Sequence, residues 1–271
     1  MFKLKALGAC KELFQQSYGL YKQNHLLLRP CLYIIAINLF VLLCLILSGI
    51  TFFTRPTDAL PGVFSMAAIV IVLLPLRAFF RVRLLAVEAI MIYAQLKVHK
   101  NISFATAWKR TNGRGLSYWM LVLGNAGTAL LKRATSQASR GLGPSSLIDP
   151  AWDLVSHYVI PVIAIENIAF HKACTRVRDL LDNAGTSVTG IVTIDLVEAG
   201  FRFVILCLAM LFAIVAISAA VAYMHLYGQF ITSPLILALC CVILVGSFTK
   251  PFFDFIKILY FTSLYMNIRK S

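Results

Sequence analysis

Acidic residues are scarce in this chain. Eleven Asp and Glu stand against 25 Lys and Arg in 271 residues, and charged residues of both signs make up 13%, about half the ~25% usual in soluble domains. No polar stretch is long enough for a separate soluble domain, so a length that would otherwise allow two domains reads as one integral unit. No basic run alternates with aromatic residues in a polar segment, which excludes a nucleic-acid partner. No nucleophile elbow, phosphate-binding loop, zinc-protease motif or pair of glycosidase carboxylates occurs, and the chain is not expected to be an enzyme. His171 and Cys174 are three apart, but no second Cys/His pair completes a structural zinc set, so neither a metal nor a cofactor is expected. The seven cysteines, Cys10, Cys31, Cys44, Cys174, Cys207, Cys240 and Cys241, read as reduced packing residues.

Long apolar runs are what the chain does have. Pro30 to Thr54 are 25 consecutive residues without Lys, Arg, His, Asp or Glu, and mean hydropathy is +0.83. About 20 apolar helical residues cross a bilayer core, because lipid offers the backbone amides no partner. The expected fold is therefore an all-α, polytopic helical membrane protein with about six membrane segments. They are drawn at Cys31–Phe53, Gly62–Phe79, Leu116–Leu131, Leu154–Phe170, Phe203–Tyr223 and Leu235–Ile258. With both termini cytoplasmic, 21 of the 25 Lys and Arg fall inside and only Arg55, Lys132, Arg133 and Arg140 outside, as the positive-inside rule requires. Segments three and four are the weakest, and a re-entrant hairpin is the alternative for that pair.

Residues 1–29 set Phe2, Leu4, Leu7, Phe14, Tyr18 and Tyr21 at mostly helical spacing with lysines between them. That pattern predicts a helix in the cytoplasmic interface, followed by an uncleaved first span, since no cleavage site is recognisable. The integral domain then runs over 30–271. Pro75 lies inside the second span, Arg77, Arg81 and Arg83 follow, and apolar residues resume over Leu84–Leu96. A bent helix continuing into the cytoplasm is expected, with Leu85, Ile92 and Leu96 on one face and Glu88 nearby. Asn101 and Ser103 offer caps for a short boundary helix holding Trp108, Lys109 and Arg110.

One sequence pattern resembles a known family. It comprises the amphipathic N-terminus ending in Leu26-Leu27-Leu28-Arg29-Pro30, a span, a long helix, the Ser103 helix and then Trp152…Tyr158-Val159-Ile160-Pro161-Val162-Ile163-Ala164-Ile165-Glu166…Ala173. Together these resemble an uncharacterised family of bacterial polytopic inner-membrane proteins of the Val-Pro-Val-x-x-x-Glu type, over essentially the whole chain. The chain departs from the pattern at Ala169-Phe170-His171-Lys172-Ala173 and Val177, where a glycine and a serine are usual. The resemblance implies a bacterial cytoplasmic membrane and carries no activity.

Ionisable residues at membrane depth are expensive and commonly functional. Glu166, with His157 and Asp153 before Pro161, makes a candidate polar pathway; the competing reading is a helix end where Glu166 pairs with Lys172 or a backbone amide. Lys250, Asp254 and Lys257 share a helix face beside Pro251, either lining that pathway or neutralising one another in a cytoplasmic collar. Asp195, Glu198 and Arg202 read as an interfacial salt-bridge network. Arg176–Asp179 and Arg178–Asp182 read as pairs on a helix stopped at Gly185. Ala209, Ala213, Ala216 and Ala220 permit close packing, within the protomer or in a homo-oligomer.

The expected function is a channel or transporter for an ion or small solute, using Glu166, Asp153, His157, Lys250 and Asp254. The alternative is a non-catalytic membrane-organising or assembly protein. It would hold anionic lipid or a partner through Arg77, Arg81, Arg83, Lys97, Lys100, Lys109, Arg110 and Arg114, each worth about 1 kcal/mol near an anionic surface.

Overall fold

Apolar segments satisfy their own amides as helices, and every regular element described here is helical. The computed structural model describes residues 15, 19–20, 22, 24–54, 63–64, 67–98, 101–138, 145–182, 194–195, 197–205, 207–208, 210–211, 214–215, 218 and 233–268. Among them are seven α-helices: α1 Arg29–Thr54, α2 Leu74–Val98, α3 Phe104–Thr111, α4 Gly115–Ala138, α5 Ser145–Glu166, α6 Phe170–Asp182 and α7 Ser233–Ile268. The all-α expectation holds at this level. The interfacial helix expected over 1–29 lies mostly outside the described residues, as does the alanine stripe from Ala209 to Ala220.

Local chemistry explains most boundaries. Asn24 accepts a hydrogen bond from the Leu26 amide at 3.1 Å and starts the 3-10 turn His25–Leu28 that leads into α1; Pro30 then sits in the first turn, where its missing N–H costs nothing. A π-helical turn, Ile69–Leu73, precedes α2. Pro75 has no N–H to give Ile71 and its ring crowds that carbonyl, so a wider turn accommodates it. Ser103 caps α3 by accepting from Thr106 N at 3.3 Å, as its spacing predicted. Asn101 does not cap; it bonds Asn24 instead. Glu166 ends α5 because Asn167 adopts φ 53°, the left-handed conformation that Asn tolerates at a helix terminus. Helix α6 then begins at Phe170, whose amide donates to Ser117 of α4 at 3.2 Å. The expected fourth segment to Phe170 is thus two helices divided at Asn167.

Helices α4 and α5, the weakest expected spans, are continuous over 24 and 22 residues and pack against each other. Helix α7 continues through Pro251 to Ile268, ten residues past the expected end of its span.

The core gathers around α2. From Val82 to Gln95 every residue except Arg83 and Tyr93 is buried, because α1, α3, α4, α5 and α7 all pack against this one helix. Leu85 and Ile92, expected on one face with Leu96, are buried and Leu96 is half-buried, and the five neighbours cover the other faces of this stretch as well. Each large aliphatic side chain fully buried there contributes about 1.5–3 kcal/mol. Tyr158, Val162 and Ile163 of α5 and Phe255, Ile258 and Phe261 of α7 complete the core.

Elsewhere the apolar residues face outward. Leu32, Phe40, Leu43 and Leu47 of α1, Val70 to Val72, Leu116 and Leu123 of α4, and Phe203, Val204, Leu208, Leu211 and Val215 are more than a third exposed. Among the described residues, every exposed large hydrophobic residue except Phe201 falls inside one of the segments expected to span. Among the described residues one helical stretch, His25–Ser48, is long and apolar enough to cross a membrane, and only 28% of it is buried within the protein.

Candidate functional site

Asp254 lies one turn beyond Pro251 in α7 and is buried. A buried carboxylate needs compensation, and two other helices supply it. Arg81 of α2 donates from Nε at 3.0 Å and Nη2 at 2.5 Å to Asp254 Oδ2. His157 Nε2 of α5 lies 4.0 Å from Asp254 Oδ1. The His157 ring stacks on Phe261 at 5.9 Å, and Tyr158 meets Phe261 edge-on at 4.3 Å, so aromatic packing fixes the imidazole. Cys31 of α1 and Glu88 of α2 lie within electrostatic reach of Asp254. Four helices therefore converge on one cluster of ionisable groups.

Glu88 is its unusual member. The residue is 1% exposed, and neither carboxyl oxygen has a hydrogen-bond partner among the described residues. Burial first, and the nearby Asp254 charge second, hold its carboxyl well above the usual range, which keeps the neutral acid as the favoured form.

A second charge group lies along α7. Lys257 Nζ is 2.6 Å from Asp195 and 3.3 Å from Glu198, and Arg202 also bonds Glu198. The expected network at 195, 198 and 202 thus acquires Lys257 from another helix. The expected mutual neutralisation of Lys250, Asp254 and Lys257 is replaced. Neighbours on one helix face run alongside one another, whereas Arg81 and Glu198 approach Asp254 and Lys257 head-on. Lys250 is exposed and senses Asp254 only through its charge.

Glu166 stands apart from the cluster, nine residues beyond His157 and so about 14 Å along α5. Its Oε1 accepts from the Tyr265 hydroxyl, with Arg176 Nε at 3.7 Å. The cation beside it is Arg176 of α6 rather than Lys172. Of the expected pathway residues, the fold brings His157 and Asp254 together and leaves Glu166 separate. The Asp153 side chain, Lys100 and the pairs expected with Asp179 and Asp182 lie outside the described residues.

Half of the expected basic residues are engaged by polar or acidic groups of other elements. Arg77 donates to Asn38 at 2.7 Å, and Arg81 is taken by Asp254. Arg83 donates to Thr111 at 3.0 Å, bonds Asn112 and lies 3.8 Å over the Trp108 ring. Arg114 donates to Asn167 Oδ1 at 2.9 Å and to its carbonyl, tying the start of α4 to the end of α5 and fixing the pair as antiparallel. Lys97 reaches the Tyr93 hydroxyl at 2.8 Å. Lys109 and Arg110 are exposed on α3. No group of three or more His, Cys, Asp or Glu among the described residues is arranged to hold a metal. Burial raises the Cys174 thiol pKa, which disfavours the thiolate a metal needs.

Recesses flank the core among the described residues. An apolar groove of about 410 Å³ runs between α1, α2 and α3, and a smaller one of about 300 Å³ is bordered by Tyr93, Arg110 and Asn167.

Sequence reasoning passed over Glu88 as a site and assigned Arg81 to the surface. An acid inside a nearly continuous apolar run was the available signal for Glu88. Arg81 carried none, because its partner is 173 residues away.

Residues 103–267 match a family of unknown function (DUF6159), and the chain belongs to that family. The matched region contains His157, Glu166 and Asp254, while Cys31, Arg81 and Glu88 precede it. No curated protein and no solved structure matches the chain.

Proposed function

We propose that this family member is a multi-pass protein of a bacterial cytoplasmic membrane, with both termini inside, and acts as a channel or transporter for an ion or small solute. The observation that carries the transport reading is the cluster of Arg81, Asp254 and His157, drawn from three helices and enclosed in apolar packing. Ionisable groups held this way are costly, and in membrane proteins they commonly mark ion or proton paths. Membrane embedding is supported by the coincidence of exposed apolar side chains with the expected spans. In a watery surround so wide an apolar face would drive aggregation; in lipid it is the favourable arrangement. Asp254 is the negative member, Arg81 its counter-charge, and His157 the imidazole held beside them.

The test is flux from proteoliposomes containing the full chain and a pH-sensitive dye. Dissipation of an imposed gradient, with the rate altered in His157→Gln at unchanged membrane abundance, is the expected result. Correctly inserted protein that leaves the vesicles as tight as protein-free ones would falsify transport. The membrane-organising reading retains Lys97, Lys109 and Arg110 as its outward basic residues, and it predicts that tight-vesicle result.

A further inference from the structure

The apolar groove between α1, α2 and α3 belongs to neither charge group. Tyr33 and Ile37 line one wall, Phe80 and Leu84 the second, and Phe104 and Trp108 the third. Tyr33 packs on Phe104 at 5.0 Å and Phe104 stacks on Trp108 at 5.9 Å, so the α3 wall is a continuous aromatic surface. Its volume of about 410 Å³ is in the range of small-ligand sites. On the α1 side the groove opens onto the outward apolar face, where Leu32 and Tyr33 are 59% and 49% exposed. At the α3 end the lining changes character: Lys109 stands at the rim, exposed and without a hydrogen-bond or ion-pair partner among the described residues. Arg110 follows it, and the Arg83 guanidinium lies against Trp108.

We propose that this groove is a binding site for an anionic glycerophospholipid, its acyl chain lying along Tyr33, Phe80 and Phe104 and its phosphate meeting Lys109. The inference rests on the membrane reading above and is independent of transport. Three features select this occupant. The groove is continuous with the face assigned to lipid, so a chain enters sideways without crossing water. Its cations gather at one end, as a molecule with one charged head and an apolar tail demands. A second copy of this chain, at +14, would bring like charge to that rim. Tryptophan and lysine side by side also match the lipid–water boundary, where an aromatic ring sits at headgroup level and a basic residue reaches phosphate.

The protein has three tryptophans, which makes the site readable by fluorescence. The full chain carrying Trp119→Phe and Trp152→Phe keeps Trp108 alone. It is reconstituted in phosphatidylcholine vesicles holding a minor share of either dibrominated phosphatidylglycerol or dibrominated phosphatidylcholine. Stronger quenching by the anionic lipid is expected. Lys109→Gln should reduce that preference about fivefold, the equivalent of one basic contact, and Ala105→Phe, which fills the groove, should weaken quenching by both lipids. Equal quenching by the two lipids, or a preference that survives Lys109→Gln, overturns the site and leaves only ordinary boundary lipid. An unquenched Trp108 beside a quenched Trp119 in the complementary variant overturns it in favour of a non-lipid occupant; if neither is quenched, the membrane reading itself has failed. Should the single-tryptophan protein not fold, native mass spectra of the unaltered chain give the same decision: anionic lipid retained over phosphatidylcholine supports the site, and no retained lipid refutes it.

Discussion

Leu43 of α1 and Ile92 of α2 are both large aliphatic residues in predominantly apolar helical stretches, yet Leu43 is 53% exposed and Ile92 is 0% exposed. Helix α1 turns much of its circumference away from the protein, whereas five helices close over α2. Both segments are too apolar for water, so each requires an apolar surround, which other helices supply to α2. For α1 the proposed surround is lipid. The polar side chains follow the same division. Asn38 of α1 accepts from Arg77, while Glu88 in the enclosed part of α2 has no hydrogen-bond partner among the described residues. Apolarity alone therefore does not distinguish a membrane-facing helix from a core helix; what covers it does.

Three perturbations sharpen this comparison. The largest effect is expected at the junction of the two regions. Asp254→Ala strands Arg81 in an apolar setting and should cost about 3–5 kcal/mol, read as a lower denaturation midpoint in detergent micelles; an unchanged midpoint would remove the ion pair from the stability of the fold. Next comes a direct contrast between the regions. Ile92→Ala should lose about 3 kcal/mol through the cavity it leaves, while Leu43→Ala stays within about 0.5. Leu43→Lys, by contrast, should disfavour membrane insertion by about 3 kcal/mol. Alkaline carbonate extraction measures this, and a variant that remains as membrane-bound as the parent breaks the lipid assignment of α1.

The smallest effect is a pH dependence confined to the enclosed region. Because the folded state holds the Glu88 carboxyl above its unfolded range, the unfolded chain loses this proton at lower pH than the folded one. Stability from this group is complete below the ordinary glutamate range and falls as pH rises through the raised folded pKa. Asp254 adds repulsion to the ionised form, and Cys31 is the other titratable neighbour. Thermal midpoints should decline from acidic to alkaline pH, and Glu88→Gln should flatten the decline. An equal decline in that variant would assign the titration to another group.

Helix formation, the Ser103 cap and the paired charges at Glu198 and Arg202 were legible because each depends on residues a few positions apart. The stop at Glu166 was not, since the apolar run reads on to Phe170 and Asn167 in a left-handed conformation is one of several residues that end a helix. His157 and Asp254 were each recognisable as charges in apolar surroundings, but their meeting was not. Arg81 looked like one cation in a row of snorkelling arginines, and only the packing of α2 against α7 distinguishes it from Arg83, which caps a Trp108 ring instead.

The sequence by itself determined that the chain is helical, that it carries long apolar segments, and where several helices begin and end. These follow from backbone hydrogen bonding and side-chain chemistry acting over one or two turns. Only the tertiary structure decided which apolar helix is enclosed, which arginine meets Asp254, that Glu166 stands away from His157, and that α1, α2 and α3 leave a groove beside Lys109. Those outcomes depend on the order and angle in which helices pack, and contacts across 173 residues leave no periodic trace in the chain.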